Sequence, residues 1–183
     1  MVIRIRNSSA AKIYDLIIRR PWIIPFIIKM LDLRDYIPVS RITEALGVRS
    51  AITRRALWHM NKVGIIDRIE RGDLFYYKIK DSYTDLLRKL LSKTIISHNQ
   101  LVTLIGTTYY LISVKRTKIS VWTIPKNIVD EVRSILRQMP GQCFKPSDVA
   151  EALSLSPRLV TLALRVLYVL GEAEKTQTGY VMK

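Results

Sequence analysis

The chain has 183 residues, which is enough for one medium-sized domain or two small ones. Its 30 Lys and Arg against 15 Asp and Glu give a net charge of +15 and a pI near 10.1, which favours a polyanionic partner, although anionic membranes and acidic proteins also attract basic chains. One cysteine and two histidines provide neither an internal disulfide nor a zinc ligand set, so we expect no metal, no cofactor and a reducing, cytoplasmic setting.

Two segments bear on secretion and membrane insertion. Residues 1–7 lack the long apolar run and the cleavage site of a signal peptide. Residues 94–114 carry no charged side chain and have basic residues at both ends, as in a membrane-spanning helix. The polar group Ser97-His98-Asn99-Gln100 inside this run is costly in hydrocarbon, so we expect no membrane association.

The chain begins with two predicted helices. Residues 8–20 form the first, which Ser8 or Ser9 opens and Pro21 stops. The apolar segment 23–33 forms the second and is expected to supply one wall of a small core.

Two further helices follow around a tight turn. Ser40 is expected to cap a short helix that Gly47 ends, and Ser50 to open a longer one that Gly64 ends. Apolar residues of the longer helix recur at spacings of three and four and should face inward: Ile52, Ala56, Leu57, Met60 and Val63. The two helices predict a helix-turn-helix.

Residues 65–80 predict a β-hairpin. Strands over 65–69 and 74–80 flank the turn Glu70-Arg71-Gly72-Asp73, whose glycine suits a reversal of the chain. The next segment, 82–124, predicts a helix over 82–94, with continuation to Ile105 left open, and a second hairpin over 109–124 with a basic tip. A long helix across 99–114 is the alternative, but the β-branched and aromatic content favours strands.

The last part of the chain repeats the first. After an apolar helix over about 126–138, residues 146–171 align without a gap on residues 39–64 at a constant offset of 107. Identical pairs are Ser40 and Ser147, Glu44 and Glu151, Ala45 and Ala152, Leu46 and Leu153, Ala56 and Ala163, Leu57 and Leu164, and Gly64 and Gly171. Ser147 and Ser156 are the expected caps, Pro157 opens the longer helix, and a shorter hairpin follows Gly171.

This pattern resembles the winged helix-turn-helix superfamily, over about 22–80 and again over 125–183. The resemblance implies a mainly α fold with small β-wings, of the α+β class, in tandem copies. We predict an N-terminal winged-helix domain over 1–81, a connecting helix and hairpin over 82–124, and a C-terminal winged-helix domain over 125–183. The composition, rich in Ile, Arg and Lys, is typical of archaeal or viral proteins from hot environments.

The positive charge is concentrated in the amino-terminal and middle parts of the chain. The basic surplus is +8 in residues 1–81, +5 in 82–118 and +2 in 119–183. We therefore expect the first copy to bind double-stranded DNA, with Arg54 and Arg55 as candidates to read base edges. The other DNA-binding candidates of the first copy are Arg41, Arg49, Ser50, Trp58, Lys62, Arg68 and Arg71.

These assignments have structural alternatives. Arg54 and Arg55 suit a solvated helix face as well as a DNA surface, and Trp58 suits either stacking on sugar or packing against the preceding helix. The wing residues Arg68 and Arg71 suit minor-groove or backbone contacts, or simple solvation of the turn.

The second copy differs at the outward positions. By the offset, Leu162 and Val169 replace Arg55 and Lys62, and their exposure would create an apolar patch for a protein partner. This patch and the leucine-rich helix at 82–94 lead us to expect a homodimer. Weak DNA contacts are assigned to Arg158, Arg165 and Lys175.

No motif for catalysis is present in the sequence, so we do not expect an enzyme. A sequence-specific transcription regulator is the preferred function. A replication-associated or chromatin-associated DNA binder is the first alternative, and a tandem winged-helix module for protein interaction is the second.

Overall fold

In the computed structural model, which describes residues 9–183, helices alternate with three small β-sheets in a mixed α/β arrangement. The chain divides into two units. One comprises residues 9–92 with Val114–Ser120, and the other comprises Lys93–Ser113 with Val121–Lys183. The predicted connecting segment, 82–124, is thus shared between the two units.

The helices of the first unit follow the predicted order. They are α1 Ser9–Arg19, α2 Ile24–Leu33, α3 Val39–Leu46, α4 Ser50–Val63 and α5 Asp81–Leu90, with a 3₁₀ turn Pro21–Ile23 before α2. Ser8 lies outside the described residues. Helices α1, α2 and α4 fill the core with large aliphatic side chains and one phenylalanine, among them Ile13, Leu16, Ile17, Ile24, Phe26, Ile27, Leu57 and Met60.

A three-stranded sheet completes the first unit. Strands β2 Ile66–Arg71 and β3 Leu74–Ile79 form the predicted hairpin, and β1 Ile37–Pro38 pairs with β3 on its other side. The turn places Gly72 at a φ of 60°, a left-handed conformation that glycine adopts at little cost.

The second unit contains a four-stranded antiparallel sheet in the order of the sequence. Its strands are β4 Thr94–Ser97, β5 Gln100–Ile105, β6 Thr108–Lys115 and β7 Lys118–Pro125. The predicted hairpin is confirmed as β6 and β7. The extension of the preceding helix to Ile105 and the alternative helix over 99–114 are wrong, because this β-branched and aromatic stretch pairs as strands.

Three helices and a short hairpin follow the sheet. They are α6 Lys126–Gln138, α7 Pro146–Ala152, α8 Pro157–Val169, β8 Ala173–Lys175 and β9 Tyr180–Met182. Helix α8 is the centre of the core, since it packs against α6, α7, β4 and β5. Among residues 9–183 no single helix is long and apolar enough to cross a membrane, and only α7 and α8 taken together, bent by 114°, meet the length and composition criteria.

The repeat is visible in the element boundaries. Helices α7 and α8 begin 107 residues after α3 and α4. Gly64 directly follows α4 and Gly171 follows the Leu170 cap of α8, and both have a positive φ, 79° and 78°. The bridge between Phe144 and Tyr180 lies where β1 pairs with β3 in the first unit.

Two of the predicted helix caps are wrong. Helix α3 begins directly after Pro38, so Ser40 is already helical, and α7 begins after Lys145, where Ser147 bonds Asp148 instead. Ser50 is the first residue of α4, following Arg49 at the cap position. Ser156 is a true cap, since its Oγ accepts a hydrogen bond from the Leu159 N–H at 3.4 Å.

Candidate nucleic-acid interface

Helix α4 has one buried side and one basic exposed side. Thr53, Ala56, Leu57 and Met60 are buried, whereas Ile52 and Val63 of the predicted stripe are only half-buried. Thr53 was not expected inside, and it is accommodated there because its hydroxyl accepts a hydrogen bond from Thr43 at 2.9 Å. Residues pointing away from this core are exposed, namely Ser50, Arg54, Arg55, Trp58, Asn61 and Lys62.

The exposed side of α4 and the β2–β3 hairpin enclose a groove of about 590 Å³. Four of the predicted site residues line it: Ser50, Arg54, Trp58 and Arg68. The groove thus brings the helix and the hairpin together in one surface.

Nine residues that line this groove were not among the predicted site residues: Pro38, Val39, Ser40, Leu57, Asn61, Asp73, Leu74, Phe75 and Tyr77. Asn61 extends the line of Arg54 and Trp58 along α4. Leu74 and Phe75 are exposed at the start of β3, and Leu74 is 57% exposed. The sequence Leu74-Phe75-Tyr76-Tyr77 could have indicated this, because only alternate side chains of a strand can enter one core.

The two arginines assigned to base reading lie in different places. Arg54 lines the groove, whereas the guanidinium of Arg55 stands over the ring of Trp22, 5.6 Å from its centroid. Arg54 is therefore the freer of the two for contact with a ligand. Trp58 is 57% exposed, with Lys62 5.1 Å from its ring centroid, which favours an available ring over one packed on another helix.

His59 reports the electrostatic character of this helix. Its ring meets those of Trp22 and Trp58 edge to face. Partial burial lowers the pKa of His59, and the positive charges of Arg20, Arg55 and Lys62 lower it further. The surroundings of α4 therefore disfavour an additional positive charge.

The hairpin carries its basic residues over aromatic rings. Arg68 stands 4.4 Å from the ring centroid of Phe75, and Arg71 stands 5.4 Å from that of Tyr76. Both arginines remain exposed. Cation–π contact restrains such a side chain without neutralising its charge.

The cations around α4 lack acidic partners. Within residues 9–183, none of the seven basic site residues of the first copy forms an ion pair: Arg41, Arg49, Arg54, Arg55, Lys62, Arg68 and Arg71. All seven are exposed. A second basic segment joins them, because the Arg49 N–H donates a hydrogen bond of 2.8 Å to the Arg116 carbonyl.

The predicted apolar patch of the second copy does not exist. Leu162 and Val169 are only 9% and 4% exposed, because α8 packs this side against β4 and β5. In the leucine-rich helix α5, Leu87 is buried, and α5 packs against α2. The expected homodimer, and the expected docking of a protein partner on α8, thus lose the observations on which they were based.

The basic residues predicted in the second copy lie on different elements and differ in exposure. Arg158 and Lys175 are exposed, on α8 and β8 respectively. Arg165 is half-buried with its guanidinium 4.8 Å from the ring centroid of Trp122. This contact gives Arg165 a structural role within its own unit.

In the described part of the chain no group of three or more His, Cys, Asp or Glu side chains could hold a metal ion.

No protein-family model, no curated protein and no solved structure matches the sequence or the fold.

Proposed function

We propose that this chain is a double-stranded DNA-binding protein in which α3 and α4 form a helix-turn-helix and the β2–β3 hairpin is its wing. Helix α4 inserts into the major groove as the recognition helix. The observation that carries this proposal is the groove between α4 and the hairpin, which is lined by Arg54 of the helix and Arg68 of the wing. Both side chains are exposed, and neither forms an ion pair within residues 9–183. Such a surface suits a phosphate-rich duplex better than a neutral ligand.

The residues of this surface take different roles. Arg54 is the best candidate for a paired hydrogen bond to a guanine edge, because its side chain is exposed in the groove and has no acidic partner among residues 9–183. Arg49 and Lys62 lie near the two ends of α4 and are suited to the phosphates that border the major groove. Arg68 and Arg71 of the wing are suited to the neighbouring backbone or minor groove.

The second unit is proposed to be another copy of the winged helix that does not read DNA with its equivalent helix. The positions of α8 that correspond to Arg55 and Lys62 are Leu162 and Val169, and both are buried. Each chain would therefore offer one recognition helix. The biological use that we propose is sequence-specific regulation of transcription.

The test is selection of bound fragments from genomic DNA, followed by titration of a selected duplex and a random duplex with the whole protein. A regulator should prefer its own site by at least ~10³-fold. Binding without preference would point to an architectural role in replication or chromatin. Absence of duplex binding at low salt would refute the proposal and leave a protein-interaction module as the better explanation.

A matched pair of variants tests the reading helix. Arg54→Ala should cost about 1–3 kcal/mol of binding to the selected duplex and much less with random duplex. Thr161→Ala changes the equivalent position of α8 and should leave both affinities unchanged. Equal losses from the two variants would contradict the assignment of α4 as the reading helix.

A further inference from the structure

The tip of the β6–β7 hairpin is basic and belongs to the same unit as α4, and the proposed DNA-binding surface described above does not include it. The two-residue turn between β6 and β7, with the residue on either side, has the sequence Lys115-Arg116-Thr117-Lys118. All four residues are exposed, and none of the three cations forms an ion pair in residues 9–183. Three like charges in four consecutive positions repel one another, so this cluster does not stabilise the hairpin.

The turn itself does not require these residues. Two-residue hairpin turns favour Gly, Asn or Asp, because the preferred types need a positive φ. Neither Arg116 nor Thr117 has a positive φ, and neither belongs to these residue types. Since this turn has no positive φ, it sets no requirement for Gly, Asn or Asp, and it does not require basic residues either.

A backbone hydrogen bond fixes the tip at the amino-terminal end of α4. The Arg116 carbonyl accepts a hydrogen bond of 2.8 Å from the N–H of Arg49, the residue that precedes the first turn of the helix. Residues Val114–Ser120 accordingly belong to the first unit, although most of the sheet that carries them belongs to the second. The backbone of the tip is therefore held next to Arg49, the residue that precedes Ser50 at the start of α4.

We propose that this tip is a second DNA-backbone clamp, which contacts phosphates at the border of the major groove next to the amino-terminal end of α4. This inference rests on the proposed insertion of α4 into DNA. A helix in the major groove has a phosphate backbone at its ends, and an element fixed at one end meets that backbone. Lys115 and Lys118 are each expected to neutralise one phosphate, without reading sequence.

The experiment compares Lys115→Ala/Lys118→Ala with the wild type in the full chain. Binding to the selected and random duplexes is measured by fluorescence anisotropy over a series of salt concentrations. The slope of log K against log salt should fall by about two, since each lost phosphate contact removes about 0.9. Both affinities should fall alike, by roughly tenfold near physiological salt.

Two controls separate the clamp from general charge and from folding. Arg88→Ala/Lys89→Ala removes two exposed cations from α5 in the same unit and should leave the salt slope nearly unchanged. Lys115→Arg/Lys118→Arg keeps the charge and should keep the wild-type slope. Arg116 is left in place, and circular dichroism should show the same melting temperature for all variants.

The outcomes distinguish this inference from the proposed function. If wild-type protein binds duplex but Lys115→Ala/Lys118→Ala keeps its slope and affinity, the clamp is refuted and α4 still stands as the reading helix. An equal loss in the α5 control would also refute the clamp, because it would show a general charge effect. If wild-type protein binds no duplex, the proposed function fails and the clamp fails with it.

Discussion

Helices α4 and α8 occupy the same place in the repeat, yet the equivalent outward positions are exposed in α4 and buried in α8. In α4 the positions Arg55 and Lys62 meet solvent, whereas in α8 their equivalents Leu162 and Val169 are buried under the strands β4 and β5. The helices share their starting positions in the repeat and their buried inner sides. What differs is the cover provided by β4 and β5, two strands from outside the repeat that pack against α8.

The charges follow the same division. In the second unit, Lys126 and Arg133 pair with Asp130, Arg133 also binds Glu172 at 2.7 and 3.0 Å, and Arg137 shares that carboxylate. Hydrogen bonding from Lys126 lowers the pKa of Asp130. In the described part of the chain, Arg49, Arg54, Arg55 and Lys62 of α4 and its cap have no such partners. The cations of α6 thus stabilise their own unit, whereas those exposed on α4 remain available to a ligand.

Exchanging equivalent residues between the helices should produce the largest effect. Leu162→Arg would place an unpaired charge under the sheet and should destabilise the second unit by about 3–5 kcal/mol. Arg55→Leu, the reciprocal change, should cost less than about 1 kcal/mol, because the side chain is exposed. Hydrogen exchange of the α8 and α4 amides measures each effect separately, and similar losses in the two variants would contradict the comparison.

The next largest effect should come from alanine substitution of the two hairpin glycines, Gly179 and Gly72, which should differ in the stability that they cost. A Cβ at Gly179 would lie 2.2 Å from the Phe144 carbonyl oxygen, so Gly179→Ala must separate Phe144 from Tyr180 and should cost about 3 kcal/mol. Gly72→Ala meets no atom within 4 Å and should cost only about 1 kcal/mol, from its positive φ. Thermal unfolding measures both, and a larger loss at Gly72 would show that the fit around Gly179 is looser than described.

Removal of one cation from α4 should have a smaller effect, on DNA binding alone. Lys62→Ala should weaken binding to every duplex by a similar factor and lower the salt slope by about one. Lys175→Ala removes an exposed cation from the second unit and should leave the slope nearly unchanged. A sequence-dependent loss in Lys62→Ala would instead assign this residue to base reading.

The smallest effect concerns the titration of His59. Burial and its cationic neighbours hold the pKa below 6.5, so the stability that neutral His59 provides is present above pH 6.5 and falls as the pH drops below it. Bound phosphates would favour the charged ring, so NMR titration should show the pKa of His59 rising when duplex is added. Arg55→Ala should raise it as well, while the pKa of Asp130 should not respond to duplex. A fall in the pKa of His59 on DNA binding would show that the bound phosphates do not lie near this ring.

Elements of this architecture could be predicted from the sequence where local signals or regular alternation of apolar residues mark them. The predicted start of α8 at Pro157 and the span of α6 are confirmed, because local signals such as Pro125 and Pro157 mark where a helix begins. Strands β4 and β5 were not predicted, since the polar residues of Ser97–Gln100 interrupt the alternation that identifies a strand.

The candidate site could be predicted only where neighbours in sequence are neighbours in space. Ser50, Arg54 and Trp58 were assigned correctly to the exposed side of α4 from helical spacing. The burial of Leu162 and Val169 depends on strands some sixty residues earlier in the chain, and no periodicity within α8 reveals that cover. The hydrogen bond between Arg49 and Arg116 is likewise a long-range contact that local patterns do not contain.

The hydrogen bond from Arg49 to Arg116 also constrains the order in which the protein is completed during synthesis. Helix α4 leaves the ribosome roughly fifty residues before the tip of the β6–β7 hairpin. The nascent first unit therefore lacks one of its parts until strands that mostly belong to the second unit have been made. No single cut in the chain separates the two units, so a gene fragment ending at residue 92 encodes an incomplete first unit.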